Sequence, residues 1–316
     1  MSTPADEFVF NIVWAGADFP YLRYFVASQI AQSGARFRFV ANGCPPEQVT
    51  MMEDFASRSD GRVVEVVVAS EQMAAHGVAL DHVLGSRDDG EFFCFADPDI
   101  LARGPYVDDF ARHLREGCDA VTSGKGVWID SDVIPDGHPG VSGEFFRSSD
   151  GFLFGSPHFA MYHREPLEET TARWGIGFKS AGPDLSDEAK AFLTEQNRMY
   201  LIFDTGKLVN VFLQADGHHL CHEEHPNLVH VGGMSHYLAP PERGGGAALD
   251  SDPTWAWPWP VGRLEVARFT ATVLRALSEG RPAPPVPAGS DDLLAPRLEM
   301  VREELIALVE TYSDRL

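Results

Sequence analysis

Lysine is scarce in this chain. Only Lys125, Lys179, Lys190 and Lys207 occur in 316 residues, and Lys plus Arg number 25 against 47 Asp plus Glu, a net charge of -22. A surface that acidic repels phosphate backbones and anionic headgroups, so neither nucleic acid nor membrane is expected as a partner. It also means that a bound nucleotide diphosphate needs a cation to screen it. Cysteine is scarce too. Cys44, Cys94, Cys118 and Cys221 are scattered with no CxxC pair, so reduced, mostly buried thiols are expected rather than a disulfide framework. No apolar run reaches spanning length, MSTPADEF lacks a basic region followed by an apolar one, and no repeat appears. The expectation is a soluble cytoplasmic protein. His222-Glu223-Glu224-His225 has neither HExxH nor HxxEH spacing, which sets aside a zinc hydrolase.

What the chain does have is a 44% hydrophobic composition, enough to bury a large core in one sizeable domain or two small ones. Its organising stretch is Glu91 to Gly104, EFFCFADPDILARG. The run Phe92 to Ala96 reads as a strand buried on both faces, as in a parallel sheet. Pro98 fixes its own φ and keeps Asp97 extended, so Asp99 follows on a stiff turn at the strand's carboxyl end. Ligands bind at that end of open α/β sheets. Two carboxylates one residue apart there suit a hard divalent cation that also holds phosphate oxygens. The bland alternative is a polar turn capping a helix that begins near Gly104.

Upstream, Phe8 to Trp14, Arg36 to Ala41 and Arg62 to Val68 read as strands, and Tyr21 to Ser33, Pro45 to Ser57 and Ala74 to Leu84 as helices. That alternation predicts βαβ units and a mainly parallel sheet. Downstream, the pattern predicts a helix over Pro105 to Glu116, a strand over Asp119 to Ser123, and a long Gly/Pro/Asp/Ser-rich loop over Asp130 to Asp150. A strand-like Gly151 to Tyr162, a helix Arg164 to Trp174, and two helices meeting near Asp204-Thr205-Gly206 follow. A short strand over Asn227 to Val231 precedes a loop with Trp255, Trp257 and Trp259, which are read as pinning the C-terminal helix. Helices Val261 to Ser278 and Asp291 to Tyr312 close the chain.

The strand-helix-strand opening followed by Asp97-Pro98-Asp99 resembles the GT-A, DxD-containing glycosyltransferases that use nucleotide-sugar donors, of the bacterial family-2 type. His76-Gly77-Val78-Ala79-Leu80-Asp81 is similar to an HGxALD stretch that precedes the DxD strand in some of these enzymes, and Gly155 to Arg164 resembles the strand after their acceptor loop. Leu228 to Gly233, LVHVGG, resembles the late segment that supplies a metal-binding histidine. The resemblance covers about residues 8 to 237. It implies a Rossmann-like GT-A sheet flanked by helices, with a catalytic domain over 1–237 (donor half about 1–104, acceptor half about 105–237). A helical C-terminal extension over 238–316 would pack on that domain or form a homodimer. It further implies a UDP- or GDP-type sugar donor, Mn²⁺ or Mg²⁺, and a hexosyltransferase-like reaction. Where many relatives end the second strand in a base-holding aspartate, this chain has Asn42.

Candidate residues follow. Asp99 is the expected direct metal ligand, with Asp97 sharing the metal or holding the ribose, and His230 the third ligand (His236 its substitute). Ala15, Gly16, Asn42, His76 and Asp81 are expected on the donor side; Asp81 reads equally as a helix-surface aspartate and His76 as a cap. An inverting transfer needs a base within about 3 Å of the acceptor hydroxyl. Asp204 is the first candidate and Asp150 the second, each with a cap or turn reading beside it. Trp128, His138, Phe145 and Phe146 form the expected wall for a small soluble hydroxyl or amine acceptor or a saccharide. The rivals are a nucleotidyltransferase, against which the cation-free loop AGADFP argues, and a non-catalytic sugar-nucleotide-binding module.

Overall fold

The computed structural model describes residues 4–123, 153–155, 158–179, 185–196, 205–231, 234–238, 263–290, 292 and 294–313. The candidates Trp128, His138, Phe145, Phe146, Asp150 and Asp204 lie outside the described residues, as do Trp255, Trp257, Trp259 and the side chain of His236.

The apolar runs become the expected strands. β1 (Val9–Ala15), β2 (Arg36–Asn42) and β4 (Phe92–Ala96) are buried almost throughout. They alternate with α1 (Phe19–Gln32), α2 (Pro46–Ser57), β3 (Val63–Ser70) and α3 (His76–Ser86). β3 lies at the sheet edge and alternates, with Val63 and Val67 buried and Val64 and Val68 exposed, because only one of its faces is covered. Beyond β4 come β5 (Ile100–Ala102), α4 (Val107–Arg115), β6 (Ala120–Thr122), β7 (Phe159–His163), α5 (Arg164–Trp174), α6 (Asp187–Glu195), α7 (Lys207–Ala215), β8 (Leu220–His222), β9 (Leu228–His230) and α8 (Met234–Leu238). Two C-terminal helices follow, α9 (Arg263–Ser278) and α10 (Leu294–Tyr312).

The main sheet has the order β3-β2-β1-β4-β7-β6-β8, parallel except that β7 runs antiparallel to both β4 and β6. A mainly parallel, helix-flanked sheet with a helical C-terminal extension is the architecture that the GT-A resemblance implies. β9, the short strand expected over Asn227 to Val231, pairs antiparallel in a small second sheet with β5, which its sequence pattern does not set apart. On α10, Leu298, Val301, Leu305, Leu308 and Tyr312 recur at helical spacing and join the same buried cluster as Phe10 and Trp14. Both C-terminal helices pack on α1, and Arg103 pairs with Glu304 on α10. No helix among the described residues is long and apolar enough to cross a membrane.

One expectation needs correction. Cys44 and Cys94 are free thiols, but Cys118 and Cys221 form a disulfide across a sequence separation of 103 residues. Spacing could not show this, because the pair is created by the β6–β8 register, which sets Val121 opposite Cys221.

The first turn of α3 is a docking surface. A Cβ at Gly77 would meet the backbone of Phe178 and Lys179, so only glycine lets that segment approach. Gly77→Ala is expected to cost about 1–3 kcal/mol, read as a lower urea midpoint; an unchanged midpoint would show that the segment does not pack there.

Candidate metal and donor site

The carboxyl ends of β1, β2 and β4 lie on one rim because these strands are parallel neighbours. β4 stops at Ala96, and the Asp97-Pro98-Asp99 turn is fixed from behind. Gln29 on α1 donates its amide hydrogens to the carbonyls of Asp97 (3.1 Å) and Ile100 (3.0 Å), and the Asp97 N–H donates to the His158 carbonyl at 2.8 Å. The small sheet then delivers the histidine. Ile100 is in register with His230, and the Val231 N–H donates to the Asp99 carbonyl at 3.1 Å.

His230 Nε2 therefore lies 3.2 Å from Asp99 Oδ1 and 3.5 Å from Asp97 Oδ2. His76 Nε2 approaches the other Asp97 oxygen, Oδ1, at 3.5 Å, and its Nδ1 lies 3.4 Å from Thr205 Oγ1. The second oxygen of Asp99 accepts from the Met234 N–H at 3.2 Å, at the start of α8. Asp99 is nearly closed off, its side chain 6% exposed, while that of Asp97 is 24% exposed. The two carboxylates and the imidazole of His230 offer ligand atoms all within 4.8 Å of one another.

Electrostatics follow from this crowding. Burial drives the Asp97 carboxyl up, with the Asp99 charge adding to it, against the pull of His230 and His76. Burial also pushes on Asp99, but the charge of the facing His230 outweighs it, with the Met234 N–H helping, and holds Asp99 below the usual carboxylate range. Burial alone would depress His230; facing Asp99 and Asp97, it is instead pushed up to about 9.

Does this donor set fit a divalent cation? The Nε2 atoms of both His76 and His230 are buried without a properly directed hydrogen bond, although carboxylate oxygens stand 3.2–3.5 Å away. Groups that converge without bonding one another are arranged around a shared point. Carboxylate oxygens supplemented by one imidazole suit Mn²⁺ or Mg²⁺ better than a thiophilic ion. The residues present fit.

The remaining donor-side candidates sit on the same rim in supporting positions. The Ala15 N–H donates to Asp18 Oδ2 at 3.3 Å, and Gly16 takes a φ of +57° with its N–H on the Asn42 carbonyl at 3.2 Å. The positive φ there favours glycine. Asn42 is buried and clamps the β3–α3 loop, its amide donating to the Ala74 carbonyl and its Oδ1 accepting from the Ala74 N–H, both at 2.9 Å. Asn42→Ala strands both Ala74 groups and is expected to cost about 1–3 kcal/mol, measured by chemical denaturation; a loss under a few tenths of a kcal/mol would refute the clamp. Asp81 accepts from the Phe178 N–H at 2.7 Å, and burial raises its carboxyl. In this fold it is a tie between α3 and the 177–179 segment. The HGVALD stretch thus divides its labour: His76 faces the acidic turn, Gly77 allows close approach, and Asp81 holds the approaching 177–179 segment.

One residue of the site had no sequence signal. His158 is 2% exposed and stacks on His230, with ring centroids 3.7 Å apart and planes at 15°. Only the antiparallel β4–β7 register, which places Phe159 opposite Ala96, puts it there.

No family model matches this sequence. No protein of curated function matches it either. Solved structures with a similar chain path include the mannosyltransferase PcManGT of Pyrobaculum calidifontis, in complex with GDP-Man and Mn²⁺. It is 15% identical with a TM-score of 0.44, over 97% of this chain and 75% of that one. S. aureus TarS 1–349 is 12% identical with a TM-score of 0.44, over 98% and 92%; this chain spans 49% of a longer TarS chain. The galactosyltransferase LgtC, with donor and acceptor sugar analogues, is 12% identical with a TM-score of 0.43, over 98% and 100%. These are similarities of path at low identity, and what the site does rests on its own geometry.

Proposed function

We propose that this protein is a metal-dependent glycosyltransferase that moves a sugar from a nucleotide-diphosphate donor to a small soluble hydroxyl or amine acceptor in the cytoplasm. The observation that carries the reading is the convergence of Asp97, Asp99 and His230 at the carboxyl end of β4. In a chain of net charge -22, a diphosphate gains little from the protein's general field. A Mn²⁺ or Mg²⁺ ion held by Asp97, Asp99 and His230 would supply Lewis-acid stabilisation for the negative charge that develops on the leaving diphosphate.

The chain's own groups do the rest. Gln29 and the β5–β9 pairing keep the two carboxylates and the imidazole fixed before any donor arrives, which is the preorganisation such stabilisation requires. His158 covers the back of His230 and excludes water from that side. Ala15, Gly16 and the clamped Asn42 loop would face the nucleoside portion across the neighbouring strand ends. For an inverting transfer the base would be Asp204, with Asp150 second. Among the described residues, Thr205 Oγ1 lies 3.4 Å from His76 Nδ1.

Donor turnover assayed with and without Mn²⁺ tests the reading. Release of free sugar and nucleoside diphosphate only with the metal supports it. Pyrophosphate formation from a sugar phosphate and a nucleoside triphosphate would replace it with nucleotidyl transfer, and binding without turnover would replace it with a binding module.

A further inference from the structure

A second cluster of ligand-type side chains lies away from this site, on the other side of β7. His113 lies in the last turn of α4, Cys118 sits in the turn before β6, and Cys221 is central in the edge strand β8. Their ligand atoms all lie within 4.8 Å of one another. The backbone holds them together: the Cys118 N–H donates to the His113 carbonyl at 3.0 Å, and β6 and β8 are in parallel register with Val121 opposite Cys221. Glu223, one residue past the end of β8, places its Oε2 2.5 Å from His113 Nε2. Its own N–H is fixed on the Thr122 carbonyl at 3.0 Å.

We propose that in the reduced protein Cys118, Cys221 and His113 form a thiolate–imidazole site for Zn²⁺, with Glu223 as the residue that orients the His113 ring. Two sulfurs and one nitrogen are a soft donor set that selects zinc over the ions suited to the Asp97–Asp99–His230 cluster. A tetrahedral zinc at about 2.3 Å from sulfur and about 2.0 Å from nitrogen holds its donors roughly 3.5–3.8 Å apart, so on reduction the two sulfurs must part while the imidazole stays within the same span. With Nε2 held by Glu223, Nδ1 of His113 would be the zinc-binding nitrogen, and a carboxylate on the ring's other nitrogen is the usual device for fixing a zinc-bound histidine and raising its basicity. Cys118 is buried, while Cys221 and His113 are half-buried, so the fourth position faces solvent and an ion has a way in.

The disulfide seen here and the zinc form are alternative states of the same pair. A dithiol reductant breaks the S–S bond by supplying two electrons and two protons and closes to its own cyclic disulfide. Zn²⁺ then displaces the two thiol protons to water. In a reducing compartment, where an isolated disulfide does not persist, the metal would take over as the link that joins β8 to α4.

The test uses the full chain, reduced with a dithiol under anaerobic conditions and titrated with Co²⁺, whose thiolate charge-transfer absorption reports sulfur ligation. One saturating equivalent, discharged by Zn²⁺, is expected for the reduced protein, and none for the oxidised protein or for Cys118→Ser/Cys221→Ser. Glu223→Gln should keep the band and lose roughly 10–100-fold in affinity, which a merely structural role for Glu223 would not do. A reduced chain that stays folded by circular dichroism yet gives no band overturns the proposal, as does a band that survives in the double serine variant. Should that variant not fold, the oxidised–reduced comparison and the Glu223→Gln affinity decide the matter. The oxygen-rich site cannot mimic the result, because it contains no sulfur.

Discussion

Replacing Asp99 with asparagine is expected to weaken Mn²⁺ binding by roughly 100-fold or more, with turnover falling in parallel. The lower bound comes from groups that only orient a ligand, whose loss already costs about 10–100-fold in metal affinity; Asp99 is placed to be a ligand itself. The amide is nearly isosteric and can still accept the Met234 N–H, so the variant should fold. What it removes is the buried charge that sits 3.2 Å from His230. The proper readout is free Mn²⁺ by electron paramagnetic resonance, measured beside donor turnover. Unchanged Mn²⁺ affinity in a folded Asp99→Asn protein would remove the site from the mechanism, whatever happened to the rate. Asp97→Asn should weaken binding less, since Asp97 is the more exposed of the pair and shares its oxygens between His76 and His230.

The second large effect is on pH. In the metal-free protein His230 is raised from 6.5 to about 9 by Asp99 and Asp97. Because the folded value is above the unfolded one, the protonated histidine stabilises the fold fully below about 6.5, and that contribution is lost as pH rises through about 9. Asp99 is shifted the other way, so its contribution is present above the ordinary carboxylate value of 3.8 and disappears only in acid, as pH falls through its lowered value. The same imidazole must shed its proton to bind metal. Mn²⁺ affinity should accordingly rise about tenfold per pH unit up to about 9, then level off. The melting temperature without metal should fall over that window while the Mn²⁺-saturated protein gains. Calorimetric titrations across the window test this; an affinity that does not change between pH 6.5 and 9 would mean that His230 is not a ligand.

The parts of the site that could be read in advance are those whose geometry is set within a few residues. Phe92 to Ala96 could only be a buried strand, and a proline between two aspartates stiffens the turn without help from elsewhere. His230 was legible only through the resemblance of LVHVGG, and its partner strand Ile100–Ala102 was not legible at all. Three residues carry too little periodicity to distinguish a strand from a turn. His158 was invisible for a related reason: a buried histidine has no pattern, and its place beside His230 depends on β7 running antiparallel between two strands distant in sequence.

By itself the sequence determined the βα alternation, the carboxylate pair at the end of the fourth strand, and an acidic surface that makes a cation necessary for any diphosphate ligand. Each follows from local propensity, side-chain charge or a fixed proline φ. Tertiary structure alone decided that His76 and His230 meet that pair, that Asn42 and Asp81 brace the loops around it, and that Cys118 comes to lie against Cys221. Those contacts join residues some 20 to 130 positions apart, and strand order and register, which no short stretch encodes, are what close such distances.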